Sequence, residues 1–402
     1  CATSRWLRRA RPGTRAIAID WTAWGGIGMA ARGSIPKIME AAGIETLAPE
    51  VGIPTVRREL LSGAADEIVV GGRLGMLVEE RDATGGLDLD QVQARLAQRA
   101  RPLAMVGEVT GAPLYGGLIV ETRLDPGEQP FLFDHQIDGV PVLPGVMGAE
   151  AFAEVASALC PDRIVAGLRD VEFLRPFKFH RMNPATLHLA AVGRPGADDA
   201  VLVEVRLSSV LQPKPDAPPQ ERLHFRASVV LERAALSGKP VVFEPPAEVT
   251  VDDGAIYRVY FHGPAYRVLA GVRLEDGEAI GVMRHELPPN ARDADAEELV
   301  SPRLVELCFQ TAGMVDIAER SVLGLPAALG SLRVYPAPEA DRLFARVRRR
   351  EDDDGFDAEV VDAEGNVHVE LSGYRTVALP GPTALPELSR PVAEGAVEGA
   401  TA

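Results

Sequence analysis

The chain has little cysteine and no long apolar run. Its 402 residues include three cysteines, Cys1, Cys160 and Cys308, which lie far apart. This spacing indicates neither a disulfide framework nor a cysteine zinc site, so a reducing cytoplasm is the expected compartment. No stretch approaches the roughly eighteen apolar residues of a membrane span. The start, CATSRWLRRARPGTR, has neither an initiator methionine nor the apolar centre of a signal peptide. We therefore expect a segment of a longer protein that has no membrane partner.

Basic residues are fewer than acidic ones. Lys and Arg total 42 against 58 Asp and Glu, which gives a net charge of −16. A chain of this charge lacks the overall basic surface that binds nucleic acid or anionic membrane. The sequence also lacks an HExxH motif, a cysteine pair and an Asp-Gly calcium loop, so it does not indicate metal catalysis. Its 46% hydrophobic residues and mean hydropathy of +0.02 are typical of a globular chain, and its length suggests two or three domains.

One stretch, PFLFDHQIDGVPVLPGVMGAEA at 130–151, combines features of a catalytic site. His135 follows an apolar, turn-rich segment, and Pro144 and Gly145 lead into an apolar helix predicted over 146–159. An imidazole with an ordinary pKa of about 6.5 can accept a proton near neutral pH. A glycine at a helix start offers a free backbone N–H to a developing oxyanion. The alternative is a structural histidine in a loop.

The spacing of His135, Gly139 and Pro144 resembles the HxxxGxxxxP motif of hot-dog-fold dehydratases from polyketide and polyunsaturated fatty acid synthases. The acidic residue before the histidine and the Pro-Gly before a small-residue helix also fit. The resemblance implies that His135 removes the α-proton of a β-hydroxyacyl thioester and that the Gly145 N–H polarises the thioester carbonyl. It also implies no bound cofactor, since the substrate is carried on the phosphopantetheine of acyl carrier protein.

Dehydration requires a second group that protonates the leaving β-hydroxyl. A helix predicted over 302–320 contains LVELCFQ and places Glu306 and Gln310 four residues apart on one face. The family has an aspartate followed by glutamine or histidine at these positions, so the resemblance assigns Glu306 as the acid and Gln310 as its helper. The apolar neighbours are expected to raise the pKa of Glu306, because burial disfavours the carboxylate. The alternative is a glutamate at the helix edge in a surface ion pair.

The stretch FHGPAYRVL at 261–269 resembles the YGPxF segment that lines the substrate tunnel in the same family. Gly263 and Pro264 are shared with that segment and are expected to shape the tunnel. His262 stands where many relatives have tyrosine. It is either a hydrogen-bonding partner of Glu306 or a histidine at a strand edge.

Strand patterns bounded by proline, glycine and aspartate surround both predicted helices. After a proline-rich break at 239–246, the order of strands and helix seen around 146–159 repeats around 302–320. A hairpin turn is predicted at Glu364–Asn366. Together with the resemblance, this pattern indicates an α+β double hot-dog fold. Two antiparallel sheets would each wrap a long central helix, after a short α/β remnant at the N-terminus.

The first eighty residues differ from the rest. Gly26, Gly28 and Ala31 fit a G-x-G-x-x-A dinucleotide fingerprint, but only one further strand, EIVVGG at 67–72, follows them. A loop that needs glycine flexibility explains the triplet better. AIDWTAWGGIGMA and EIVVGG resemble the C-terminal end of a polyketide-type ketoreductase domain, in which the nucleotide-binding and catalytic residues come earlier. A non-catalytic remnant is therefore expected.

The sequence thus predicts five segments. They are a ketoreductase remnant (1–80), a linker with a short exposed helix (81–102), an N-terminal hot dog (103–236), a C-terminal hot dog (247–380) and a disordered linker (381–402).

The expected function is dehydration of a β-hydroxyacyl thioester on acyl carrier protein, within a polyketide or polyunsaturated fatty acid synthase. A ketoreductase before a dehydratase resembles iterative synthases more than most modular ones. The alternatives are isomerisation of the enoyl product by the same groups, or a non-catalytic scaffold for dimerisation and docking. The expected partners are acyl carrier protein, the other synthase domains such as the ketoreductase, and a second copy in a homodimer. Basic runs at 174–181 and 346–350 are the candidates for carrier-protein docking.

Overall fold

The computed structural model describes residues 2–41, 43–62, 67–72, 89–112, 117–211, 219–275 and 277–379. The predicted C-terminal linker (381–402) and the first part of the predicted interdomain linker (81–88) lie outside the described residues. Within the ranges described, no helix is long and apolar enough to cross a membrane.

The secondary structure follows the predicted order of elements. The helices are α1 (Ala2–Ala10), α2 (Ile35–Ala41), α3 (Pro49–Ser62), α4 (Leu89–Ala97), α5 (Pro130–Phe133), α6 (Gly145–Leu159), α7 (Asp253–Val259) and α8 (Pro302–Arg320). The strands are β1 (Ala18–Trp21), β2 (Glu67–Val70), β3 (Glu108–Gly111), β4 (Gly117–Leu124), β5 (Gln136–Ile137), β6 (Val140–Pro141), β7 (Ile164–Phe173), β8 (Ala185–Pro195), β9 (Val201–Leu211), β10 (Gln220–Glu232), β11 (Val251–Asp252), β12 (Leu269–Glu275), β13 (Glu278–Met283), β14 (Gly324–Val334), β15 (Leu343–Arg349), β16 (Phe356–Asp362) and β17 (Val367–Ala378).

Thirteen antiparallel strands form one continuous sheet in the order β11-β12-β13-β15-β16-β17-β14-β7-β10-β9-β8-β4-β3. The strands β3, β4 and β7–β10 curl around α6, and the strands β11–β17 curl around α8. The double hot-dog fold is therefore present. Its two halves are not separate sheets, because β14 pairs with β7 in a register that sets Leu332 opposite Leu168. This pairing brings the two central helices together, and α6 contacts α8 directly.

The sequence of α6 explains its central position. Every residue from Val146 to Ala158 is buried, and most are alanine, valine or another apolar residue. A helix that is apolar on all sides is stable only when other elements cover all sides. The curled sheet provides that cover. In the second half α8 is buried in the same way from Val305 to Met314.

Two buried carboxyl groups attach α6 to neighbouring chain segments. Glu150 accepts hydrogen bonds from the backbone N–H groups of Leu299 and Val300, at 2.6 and 2.9 Å. Glu154 likewise accepts from the N–H groups of residues 104 and 105. Burial raises the pKa of Glu150 to about 8, against the opposing effect of the two backbone hydrogen bonds. These bonds tie the first helix to the chain that leads directly into α8.

The helix inside the predicted linker differs from expectation. It was expected to be exposed, whereas Val92 of α4 is only 2% exposed and belongs to the hydrophobic core. Gln93 also accepts a hydrogen bond from the Val109 N–H at 3.0 Å. The polar, charged composition of this segment predicted exposure, but its one buried apolar residue packs α4 against the first hot dog.

The N-terminal strands form a small unit of their own. β1 and β2 pair in parallel, with Trp21 opposite Val70. A two-stranded parallel sheet is unusual, because parallel strands normally lie inside larger sheets covered on both faces.

In the second hot dog, β16 and β17 are joined by the predicted hairpin turn, with Gly365 at a φ of +85°.

We predict that Phe152→Ala lowers the free energy of unfolding by about 3–5 kcal/mol, because the fully buried ring leaves a cavity beside the sheet. Phe133→Ala is the matched control, since Phe133 is 59% exposed and its loss should cost about 0.5 kcal/mol or less. Urea denaturation followed by far-ultraviolet circular dichroism, to which the strands of both hot dogs contribute, measures both. Equal losses from the two substitutions would contradict the central placement of α6.

Candidate active site

His135 is held in place by a tight hairpin. The strands β5 and β6 are joined by Asp138 and Gly139, whose φ angles of +52° and +74° are those of a type I′ turn. The turn brings Val142 back to His135, and the Val142 carbonyl lies 2.8 Å from the histidine Nδ1. Because a carbonyl can only accept, Nδ1 carries the hydrogen and Nε2 keeps its lone pair. The hairpin thus fixes the tautomer that a general base requires.

The surroundings of His135 favour its neutral form. Burial, and after it the charge of His262, lower the pKa of His135 to about 4, against the opposing effect of Glu306. The imidazole is therefore unprotonated at neutral pH. It can accept a proton from a substrate in the cavity.

The N-terminus of α6 lies beside His135. Pro144 precedes the helix and its carbonyl accepts from the N–H groups of Met147 and Gly148, both at 3.1 Å. The Gly145 N–H is one of the first N–H groups of the helix and has no intrahelical acceptor. A side chain at this position would come within 3.0 Å of the Phe173 ring. A larger residue at position 145 would therefore press on this ring, and the helix end and the ring both border the cavity.

Glu306 and Gln310 share one face of α8 and touch each other. Gln310 Nε2 donates to Glu306 Oε1 at 2.8 Å and to the Tyr266 carbonyl at 2.8 Å. His262 Nε2 lies 3.2 Å from the same Glu306 oxygen. Glu306 is only 6% exposed, so the alternative of a surface ion pair at the helix edge is excluded. Of the two alternatives for His262, the structure has the contact with Glu306.

The expected direction of the Glu306 pKa was wrong. Burial is the largest influence and does raise the pKa, but the hydrogen bond and charge of His262, the charge of His135 and the Gln310 amide together lower it below the ordinary value. The apolar neighbours in the sequence predicted only the burial. Glu306 is therefore a carboxylate in the resting site.

Two tyrosines that the sequence analysis did not consider hold Gln310. The Tyr257 hydroxyl accepts from the Leu269 N–H at 2.8 Å and donates to Gln310 Oε1 at 2.9 Å. The Tyr260 hydroxyl donates to the Gln310 carbonyl at 2.7 Å. With Oε1 occupied by a donor, the amide must present Nε2 to Glu306. In the sequence, the only available signal was a pair of tyrosines three residues apart before the HGP motif.

The loop that carries His262 is anchored to the residue before His135. The Asp134 carbonyl accepts from the Gly263 N–H at 2.7 Å, and its carboxylate accepts from the Ala265 N–H at 2.8 Å. A side chain at Gly263 would collide with Asp134, whose Cα would be 2.9 Å away. The acidic residue of the motif therefore brings the two histidines together, with ring centroids 5.3 Å apart.

Four residues of the two motifs lie outside the cavity wall. Gly139 is exposed at the hairpin tip, Pro144 is buried at the start of α6, and Gly263 and Pro264 form the turn after His262. None of the four is among the residues that line the cavity. Their expected roles in substrate binding and tunnel shape stay predictions. They position the backbone around His135 and His262.

The cavity lies at the seam between the two halves and has a volume of about 220 Å³. His135 and Gly145 reach it from the first half, and His262, Glu306 and Gln310 from the second. Its other walls are mainly apolar and include Phe173, Phe225, Phe309, Leu323, Leu325 and Tyr374. Phe309 and Tyr374 stack face to face with centroids 4.1 Å apart. The site combines a neutral base, a helix N-terminus and a hydrogen-bonded carboxylate at the wall of an apolar cavity.

Two family models match the chain. One, described as the polyketide synthase dehydratase domain, matches residues 104–207. The other, described as the polyketide synthase dehydratase N-terminal domain, matches residues 244–385. The matched segments correspond to the two halves of the double hot dog.

Curated relatives are large synthases. Over 262 residues the chain is 27% identical to the phthioceranic/hydroxyphthioceranic acid synthase of Mycobacterium tuberculosis, an alignment that covers 61% of this chain and 12% of that protein. It is also 27% identical over 261 residues to polyketide synthase ThaG of Burkholderia thailandensis, which covers 63% of this chain and 4% of that protein. The chain thus spans a small fraction of the length of these relatives.

Solved structures share the fold. The dehydratase domain from the CurF module of curacin polyketide synthase matches with a TM-score of 0.55 and 18% identity, covering 69% of this chain and 99% of that one. A trans-AT polyketide synthase dehydratase domain from Brevibacillus brevis matches with a TM-score of 0.56 and 18% identity, covering 70% and 100%. A variant of the PpsC dehydratase domain from Mycobacterium tuberculosis matches with a TM-score of 0.53 and 19% identity, covering 69% and 98%.

We predict that the His135 imidazole stays neutral, with its proton on Nδ1, from about pH 5.5 to 8, because burial depresses its pKa to about 4. Long-range ¹H–¹⁵N NMR spectra of the histidine rings measure this. The signals are assigned by their absence in His135→Gln. A protonation midpoint for His135 between about pH 6 and 7 would contradict the prediction.

Proposed function

This chain belongs to the polyketide synthase dehydratase family, and we propose that it removes water from a β-hydroxyacyl thioester to give an enoyl thioester. One observation carries the proposal. A neutral histidine with a free Nε2 and a buried carboxylate border the same apolar cavity, next to the N-terminus of a helix. β-Elimination of water needs these three groups, which serve as base, acid and oxyanion donor.

The proposed mechanism assigns one role to each group. His135 Nε2 takes the α-proton, and the Gly145 N–H stabilises the negative charge that builds up on the thioester oxygen. Glu306, held by Gln310, passes a proton to the leaving hydroxyl, which departs as water. The apolar walls hold the acyl chain and exclude bulk water. No step requires a bound cofactor, and the substrate would be tethered to the phosphopantetheine of acyl carrier protein.

The basic runs at 174–181 and 346–350 differ in whether their basic side chains are free to bind carrier protein. In the run 346–350 each arginine pairs with an acidic residue, as seen for Arg346, Arg348, Arg349 and Arg350. In the run 174–181, Arg175 borders the cavity, and Lys178 and Arg181 are exposed. Among the described residues neither Lys178 nor Arg181 has an ion-pair partner. The acidic carrier would therefore dock at 174–181, beside the cavity mouth.

We also infer the setting of the domain. Residues 1–80 would be the C-terminal end of a ketoreductase, which the isolated parallel pair β1–β2 supports. The hot dogs would span 103–236 and 247–380, between linkers at 81–102 and 381–402. This order favours an iterative synthase. We further propose a homodimer formed through the first hot dog. A cytoplasmic location is also proposed, and the unpaired thiols of Cys160 and Cys308 support it.

The dehydration test uses a β-hydroxyacyl thioester on carrier protein or on a short pantetheine mimic, followed by mass spectrometry. We expect wild type to remove 18 mass units, the mass of water. His135→Ala and Glu306→Gln should each slow the reaction by about 10²–10⁴-fold, because each removes a proton-transfer group. His285→Ala is the control, since His285 is exposed and outside the cavity.

Other outcomes of that test would redirect the proposal. If wild type leaves several chain lengths untouched, the non-catalytic scaffold is favoured. If it only moves the double bond of an enoyl thioester, the domain is an isomerase. Full activity of Glu306→Gln would show that the acid is misassigned.

The docking test compares two substrates. Lys178→Glu combined with Arg181→Glu should raise KM about tenfold for the acyl carrier protein substrate and leave KM for the pantetheine mimic unchanged, because only the carrier is acidic. Arg348→Glu serves as the control from the other basic run. An equal KM for carrier-bound substrate in both variants would contradict docking at 174–181.

A further inference from the structure

The proposed dehydration needs an acid, yet Glu306 is held as a carboxylate. A carboxylate has no proton to give to a leaving hydroxyl. The nearest group that can hold one is His262, which is 5% exposed and whose Nε2 lies 3.2 Å from Glu306 Oε1. His262 also lines the cavity.

The two histidines are held in different ways. Nδ1 of His135 donates to the Val142 carbonyl, and among the described residues no hydrogen bond reaches its Nε2. A second proton on His135 would therefore have no protein acceptor. In contrast, a proton on His262 Nε2 points at a carboxylate. Of the two rings, His262 is the one whose Nε2 has a carboxylate as its partner.

The other groups around His262 are neutral or contact only its backbone. Phe261 stacks on its ring, with centroids 4.4 Å apart. Burial raises the pKa of the Tyr260 and Tyr266 hydroxyls well above the ordinary value, so both stay uncharged. Arg267 donates to the His262 carbonyl at 3.0 Å and leaves the imidazole free. The charge balance of the cluster is thus set by the two histidines and Glu306.

The two nitrogens of His262 have different surroundings. Nδ1 is buried, and among the described residues no hydrogen bond reaches it. Nε2 lies 3.2 Å from a Glu306 oxygen, so a hydrogen on Nε2 has an acceptor and a hydrogen on Nδ1 has none. When both nitrogens carry a hydrogen, Nε2 can pass its hydrogen to Glu306, and the ring that remains is a neutral imidazole with its hydrogen on Nδ1.

We propose that His262 is the proton source of the dehydratase, that Glu306 relays its Nε2 proton to the leaving hydroxyl, and that the acid is this pair instead of the carboxyl alone. The inference rests on the proposed dehydration and deepens it by assigning a third catalytic residue.

The steps balance in protons and electrons. His135 Nε2 takes the α-proton, the electron pair of the Cα–H bond forms the Cα=Cβ double bond, and the Cβ–O bond breaks. The oxygen leaves as water with the proton that His262 releases through Glu306. His135 then holds one proton more and His262 one fewer. Because the ring centroids are 5.3 Å apart, the released water can return that proton from His135 to His262.

The test changes the leaving group so that one substrate needs the acid and the other does not. The probes are the N-acetylcysteamine thioesters of 3-hydroxybutyrate and 3-chlorobutyrate, since chloride departs without a proton. In His262→Gln, kcat on the hydroxy substrate should fall about 10²–10⁴-fold, while kcat on the chloro substrate stays within about threefold of wild type. His135→Ala should lose both reactions, and His285→Gln should keep both.

Each other result has a definite meaning. If His262→Gln keeps the hydroxy reaction, or loses both reactions equally, His262 has at most a structural role and the proposal is overturned. If wild type eliminates water from neither carrier-bound nor free hydroxyacyl substrate, the proposed function itself fails. If wild type dehydrates and only the proton assignment fails, the function stands without this third residue.

A second measurement needs only wild type. The kcat for the hydroxy substrate should decline toward high pH as the cluster loses its proton, whereas kcat for the chloro substrate should not. Both should decline toward low pH as His135 becomes protonated. Identical profiles for the two substrates on the alkaline side would overturn the proposal even if His262→Gln does not fold.

Discussion

The buried carboxylate of Glu306 is the constraint on which the site depends. A charge in an apolar interior is strongly unfavourable unless it is paired and hydrogen-bonded. Here His262 and Gln310 both reach the same carboxylate oxygen. Each of those partners is itself held, Gln310 by two tyrosines and His262 by the loop that Asp134 anchors. The polar chain extends from α8 to the histidine motif, so a shift of any element would leave a buried charge without its partner.

The site exists only where the two halves of the fold meet. The first hot dog contributes His135 and the start of α6, and the second contributes His262 and the polar face of α8. The pairing of β7 with β14 fixes the relative position of the halves. The buried carboxyl group of Glu150 adds a direct link from α6 to the chain before α8. One continuous sheet therefore holds base and acid across a single apolar cavity.

Local sequence patterns predicted much of the fold and part of the site. The hairpin turn at Glu364–Asn366, the limits of α8 and the four-residue spacing of Glu306 and Gln310 depend on neighbours in sequence, and the structure has all three. A family motif also brought His135 and Gly145 into one site.

What could not be predicted depends on contacts between distant segments. The pKa of Glu306 falls because it is paired with His262, which lies 44 positions earlier in the sequence. The apolar neighbours of Glu306 on the helix do not indicate that contact. Gly263 and Pro264 sit next to a cavity residue without lining the cavity, because the chain turns away after His262. Val92 lies in a polar segment whose composition is typical of a linker, yet it is buried against the first hot dog. Each of these depends on which face the tertiary structure covers.

Glu306 is ionised in the resting site, and its neighbours, not a carboxyl proton of its own, set the acid chemistry. An infrared difference spectrum of wild type minus Glu306→Gln at pH 7 tests this directly, because the other carboxyl groups, including the buried Glu150 and Glu154, cancel in the subtraction. We expect the difference to contain the carboxylate stretching bands of Glu306 and no carbonyl band of a protonated carboxylic acid. A carboxylic acid band that disappears in Glu306→Gln would contradict it and would make Glu306 alone the acid.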